Sequence, residues 1–273
     1  MNLERSAIQR RWRTFVTAIF LFFFSTASWT AVPECPDQIR IAYADTELPP
    51  YVLGTGIYFR DPPGLFVAWA RAAMKRIGCQ QAVHELRLPY NRIVANMTEG
   101  TVDIRVTGGY RPDVADVMRF PMRDKIPNAA LAVAEADTKL YVAKGSATVK
   151  WDGKSLDFNG SNSTIGTVRG HFSERALHAR QWKVESAPTW EANVKKLFAG
   201  RVAAIAGTDS VVDALPERKL LEALDPPVQY DLFFAPVSNQ FYEKYPAFTH
   251  RFWLEICRES RGTFKKLPAC SVK

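Results

Sequence analysis

Histidine and cysteine are scarce in this chain, four of each in 273 residues, and neither is arranged to hold a metal. There is no Cys-x-x-Cys and no pair of histidines near a cysteine, the spacings a zinc site requires. No Gly-x-Ser-x-Gly element occurs, and no Ser, His and Asp follow in a triad order, so the common hydrolase signatures are missing too. No basic run is interleaved with stacking aromatics, and none of the usual nucleic-acid modules is present. The 36 Lys+Arg against 28 Asp+Glu give a net charge of +8, but the surplus is scattered and reads as a solvated basic surface. Nothing implies a cofactor or a nucleic-acid partner.

Long apolar runs are absent as well, apart from one near the start. Residues 15–24 follow Arg5, Arg10, Arg11 and Arg13 and precede small residues at 25–28 and at Ala31. Ten residues rise only ~15 Å as a helix, about half a bilayer. Residues 1–31 are therefore expected to be a cleaved export signal, which places the mature chain in the periplasm. Val32-Pro33-Glu34 puts no small residues before Cys35, which argues against a lipoprotein anchor there. The leader carries four Arg and one Glu, so the mature chain keeps a charge of +5. About 240 residues remain, enough for two lobes of about 100–140 residues, each with its own core.

Four cysteines on an exported chain suggest two disulfides, and sequence alone leaves three connectivities open. Cys35 lies just before the first strand and Cys79 just after the first helix, which favours pairing these two and Cys257 with Cys270. The second pair would close a 14-residue loop, worth about 3 kcal/mol in the loop-entropy account.

The pattern along the chain is α/β. IRIAYA at 39–44 reads as a strand, and 65–77, with Phe66, Trp69, Ala70, Ala73 and Ile77 near one face, as a helix stopped by Gly78. Apolar runs at 128–136 and 140–143 are separated by Asp137-Thr138-Lys139, and 164–168 is another strand. Ser173 is placed to cap a helix that runs through Arg180. Residues 190–199 carry Trp190, Val194, Leu197 and Phe198 at helical spacing, 230–236 should return the chain to the first half, and 248–257 should be a closing helix.

The most informative stretch is 88–122, LPYNRIVANMTEGTVDIRVTGGYRPDVADVMRFPM. A short helix carrying Ile93, Val94 and Met97 ends at Gly100, 102–106 alternates like a strand, and Thr107-Gly108-Gly109 opens a loop whose backbone can approach a ligand closely. With ELPPY at 47–51 and GRVAAIAGTD at 200–209, this ordered series resembles the type II periplasmic solute-binding proteins of the polar-amino-acid class (extracellular solute-binding family 3). The resemblance covers nearly the whole chain after the leader. It implies a two-lobed periplasmic-binding-protein type II fold, with open sheets and flanking helices joined by a two-crossing hinge. The lobes fall at 32–136 and 137–233, with 234–273 returning to the first.

In such a fold the ligand sits beyond the carboxyl ends of the strands. The resemblance then implies ligand contacts from Glu47 and the stacking aromatic Tyr51, from a second aromatic at Tyr90, from Thr107 and Gly108, and from Arg169, Gly170 and His171 at a helix start suited to an anion. Family members show Thr-Pro-Glu-Arg six residues before Phe-Ser, the arginine gripping the ligand carboxylate through a bidentate fork. Here that register falls on Val114, so Arg111 is the substitute. The ammonium-binding acid falls on Thr208, with Asp209 one residue beyond. At the first helix, Gly64-Leu65-Phe66-Val67-Ala68 replaces Gly-Phe-Asp-Val-Asp and removes both acids.

The resemblance implies a non-catalytic monomer that captures a small polar solute for an inner-membrane ABC permease or a membrane sensor. Two other classes compete. One is an enzyme on the same scaffold, like the periplasmic cyclohexadienyl dehydratases, with Glu47, His171 or Asp209 as acid or base. The other is a ligandless accessory that contacts a partner protein, and a cleft filled by its own side chains would favour it.

Overall fold

Alternation in IRIAYA produces the strand Ile39–Ala44, whose Ile39, Ile41 and Tyr43 are buried. It is the second strand of a five-stranded sheet seen in a computed structural model that describes residues 35–160, 162–264 and 266–272. The expected export signal lies outside these residues. In spatial order this sheet runs Val83–Leu88, Ile39–Ala44, Ile104–Arg105, Val237–Ser238 and Met118–Arg119. The first three strands are parallel, and Val237–Ser238 is antiparallel to both of its neighbours.

A six-stranded sheet follows the order Val184–Ala187, Ile165–Val168, Ala204–Thr208, Ala134–Ala143, Leu221–Phe234 and Gly108–Gly109. Its body is entered through Ala134–Ala143 and left through Leu221–Phe234, which run antiparallel side by side from Ala134 opposite Phe233 to Ala143 opposite Leu221. Helices Phe172–Ala179 and Trp190–Phe198 pack on this sheet. Helices Leu65–Ile77 and Pro246–Ser260 pack on one another, and Gly78 in the left-handed region ends the former as expected. Among the described residues no helix is long and apolar enough to cross a membrane.

Several local expectations are corrected. Asp137-Thr138-Lys139 does not separate two runs: Ala134–Ala143 is one strand, because Thr138 faces inward while Asp137 and Lys139 face outward. The 102–106 run is a strand only over Ile104–Arg105, though the Asp103 and Val106 amides still donate to the Arg40 and Ala42 carbonyls of the neighbouring strand at 3.0 and 3.1 Å. His171, not Ser173, caps helix Phe172–Ala179, its ring accepting from the Ser173 amide. Strand Val83–Leu88 went unrecognised because its charged residues hide the period. Arg87, only 4% exposed, donates to the carbonyls of Ala44 and Asp45 at 3.2 and 3.0 Å. Strand Leu221–Phe234 begins nine residues before the expected 230, and its Pro226-Pro227 pair coincides with a register shift between Leu224 and Gln229.

Cys35 is bonded to Cys79 and Cys257 to Cys270, with Cα–Cα distances of 5.5 and 6.0 Å. The first ties the chain ahead of strand Ile39–Ala44 to the end of helix Leu65–Ile77, and the second ties the C-terminal segment to helix Pro246–Ser260.

Candidate functional site

A partly open cavity of about 40 Å³ lies where residues of the two sheets meet, space for roughly three waters. The segments after strand Ile39–Ala44 supply Tyr51 and Phe66. Tyr51, only 6% exposed, stacks on Phe66 at 4.3 Å. Thr107 follows strand Ile104–Arg105, and the second sheet and its helices supply His171, Phe172, Thr208, Ser210 and Phe233. Phe172 meets the edge of Phe233 at 4.9 Å, closing one side.

Tyr51 is set by backbone bonds: the Leu65 and Phe66 amides, in the first turn of their helix, donate to Pro50 and Tyr51 carbonyls at 3.1 and 2.9 Å. Burial pushes its hydroxyl pKa up, partly offset by Ser210 and reinforced by Asp209 and Glu135. His171 is held between the faces of Phe172, 4.1 Å away, and the edge of Trp190 at 5.1 Å. Among the described residues no group of His, Cys, Asp and Glu could hold a metal ion.

No protein-family model matches the chain, and no curated protein matches it by sequence. Solved structures do match in shape. The GluR0 ligand-binding core in complex with L-glutamate is 13% identical with a TM-score of 0.63, covering 84% of this chain and 95% of that one. The truncated, arginine-bound ArgBP from T. maritima is 12% identical with a TM-score of 0.56, over 84% and 97%. The ancestral amino acid-binding protein AncCDT-1, a precursor of cyclohexadienyl dehydratase, is 15% identical with a TM-score of 0.59, over 83% and 91%. The fold is that of the type II periplasmic binding proteins.

Within that fold, the residues expected at the site divide into two sets. Tyr51, Thr107 and His171 line the cavity; the other seven do not. Glu47 is engaged in its own loop, accepting from the Gly54 amide at 2.8 Å and facing Arg60 at 3.2 Å. Tyr90 instead opens helix Tyr90–Thr98 with the Arg105 guanidinium 4.3 Å over its ring. Arg111 is held by a two-pronged pair with Asp113 and by a 2.9 Å bond to the Tyr90 hydroxyl. Asp209 sits beside the cavity, but its Oδ1 accepts from the Asp137 and Ser210 amides at 3.3 and 2.7 Å. Burial raises its pKa against those two bonds.

Gly108, Gly170 and Arg169 also differ from what the resemblance implies. Gly108 is not in an open loop: Gly108–Gly109 forms an edge strand paired with Phe234 and Phe233. The close approach it permits is to Arg105, whose Nη1 would lie 3.1 Å from a Cβ at that position. The Gly170 amide is not free for an anion, because Glu174 accepts from it at 2.7 Å. Arg169 is exposed and contributes nothing to the cavity lining. Phe66, Phe172, Thr208, Ser210 and Phe233 were not expected as lining. Periodicity had marked Phe66 for the core, and no local signal distinguishes a core aromatic from a cavity wall.

Burial, and secondarily Arg175, pushes the His171 pKa from 6.5 down to about 3. An unfolded chain therefore takes up a proton near pH 6.5 that the folded one refuses. Stability from this ring is complete above pH 6.5 and is lost progressively as the pH falls toward 3, by at most ~1.4 kcal/mol per pH unit and less for a partly exposed ring. Thermal melts at pH 7 and 4.5 should show a larger drop for the wild type than for His171→Asn. Equal drops would mean that His171 titrates normally.

Proposed function

We propose that this is a non-catalytic periplasmic binding protein that closes its two lobes over a small solute. The cavity carries this reading: its walls come from both sheets, so a molecule held there is contacted by both halves at once. The lobes are 32–136 with 234–273 and 137–233, and the adjacent strands Ala134–Ala143 and Leu221–Phe234 supply the hinge. GluR0 and ArgBP, bound to glutamate and arginine, support solute capture as the shared use of this fold. Two disulfides suit an oxidising compartment outside the inner membrane. The solute is passed by the monomer to a membrane permease or sensor. An enzymatic role has less support, because of the three candidate acid–base groups only His171 lines the cavity, while Glu47 and Asp209 are engaged away from it.

A second reading draws on the cavity's size. Tyr51, Phe66, Phe172 and Phe233 occupy much of the cleft, as a ligandless accessory protein would have it. Thermal-shift screening against amino acids, organic acids, amines, amides and sugars separates the two. A ligand at 100 times its dissociation constant adds ~2.7 kcal/mol, and each kcal/mol raises the melting temperature by roughly 2–4 °C for a chain of this size. A rise of that order in one class is expected. Silence in every class would favour the accessory.

A further inference from the structure

One buried polar atom on a residue lining the cavity has no hydrogen-bond partner among the described residues, His171 Nε2. Its chemistry is fixed by the other ring nitrogen. His171 Nδ1 accepts from the Ser173 amide at 3.3 Å as the helix cap, and the Ser173 hydroxyl lies 2.7 Å from the same atom. A neutral ring whose Nδ1 accepts must carry its hydrogen on Nε2. The unpartnered atom is therefore a donor, held in place by Phe172 and Trp190. A buried donor left without an acceptor costs ~1–3 kcal/mol, and a guest that supplies one recovers this.

The lining also limits the guest's charge. Besides Tyr51 and His171, its one ionisable residue is Glu135, which accepts from the Tyr230 hydroxyl at 2.5 Å and the Lys266 amide at 3.3 Å. Among the described residues no lysine or arginine lines the space, and the rest is apolar apart from the hydroxyls of Thr107, Thr208 and Ser210. An anion moved here would lose its hydration without a counter-charge in the lining, a penalty of several kcal/mol, and a cation, although it would meet the Glu135 carboxylate, has no lone pair to accept from His171 Nε2–H.

We propose that the cavity binds a small uncharged molecule of a few heavy atoms, whose carbonyl-type acceptor seats on His171 Nε2–H and whose apolar part meets the aromatic walls. This rests on the cavity being the solute site and specifies the solute's class. It sets this protein apart from relatives in fold that hold charged amino acids.

The experiment compares acetamide, acetate and ethylammonium at equal concentration and ionic strength, using the mature protein labelled with 15N. The histidine side-chain spectrum reports which ring nitrogen carries the proton and which probe perturbs it. The expected result is an Nε2–H tautomer for His171, a saturable shift of its signals with acetamide, and none with the two ions. His171→Asn, whose side-chain oxygen can still cap the helix, should bind acetamide at least tenfold more weakly. Ser210→Ala, which leaves the cap untouched, serves if that variant does not fold and should also weaken binding. An Nδ1–H tautomer, wild-type affinity in the variant that folds, or no response to acetamide would overturn the proposal. Binding of acetate, ethylammonium or an amino acid that perturbs His171 would overturn the uncharged class yet keep the solute site. Silence from these probes and from the wider screen would remove both.

Discussion

Replacing Gly64 with alanine is expected to lower stability by about 4 kcal/mol and to abolish solute binding. Gly64 precedes helix Leu65–Ile77 at φ 100° and ψ 161°, a region essentially reserved for glycine and costing about 1–3 kcal/mol for other residues. A Cβ there would also be driven into the Tyr51 carbonyl and would lie 2.9 Å from the Val52 amide nitrogen. These are backbone atoms, so no side-chain rotation relieves the contact, and overpacking adds about 1–3 kcal/mol. The group displaced is the one that holds Tyr51 against Phe66 at the cavity wall. Chemical denaturation of Gly64→Ala should show a midpoint well below that of the wild type. A loss under 1 kcal/mol would mean that the 48–64 loop adapts and does not fix the wall.

Asp103→Ala should cost about as much by another route. The Asp103 carboxylate, with its side chain 6% exposed, accepts from the Arg40 backbone amide at 2.7 Å, from Arg40 Nε at 2.9 Å and from Nη2 at 2.7 Å. Removing it orphans a backbone donor, at ~1–3 kcal/mol, and strips the carboxylate from a guanidinium that keeps only the Gly100 carbonyl at 2.6 Å. Together these come to about 4 kcal/mol, within the range for breaking a buried pair by removing one partner. Arg40→Met combined with Asp103→Ala should lose less than the two single changes added together, because the orphaned charge is gone. Strict additivity would show that the pair does not act as a unit.

Much of the architecture was legible because it depends on short-range patterning. Helix Leu65–Ile77 declares itself through an apolar face and a terminal glycine, and Ile39–Ala44 through alternation. The paired 134–143 and 221–234 strands were obscured for the same reason: a polar triplet in one and two prolines in the other interrupt the period, while the facing strand supplies the bonds that keep each extended. At the site, chain order pointed to the correct loops but not to the correct groups. Tyr51, Thr107 and His171 reach the cavity, whereas Arg111 and Glu47 find partners two and seven residues away, at Asp113 and Gly54. A charged side chain near its own counter-charge is satisfied locally, and spacing in the sequence does not say which of two partners wins.

The sequence by itself determined most of the alternating α/β elements and the glycine stops, because each follows from the period of a few neighbouring residues and from the positions of helix ends, while it left three cysteine pairings open and only favoured the one the structure shows. Only the tertiary structure decided what the cleft contains. Phe172 and Phe233 lie 61 residues apart yet close one wall, and the same packing buries the His171 ring with Nδ1 committed to a helix cap. Which hydrogen a ring nitrogen carries, and whether an amide such as that of Gly170 is free, depend on partners that folding brings together.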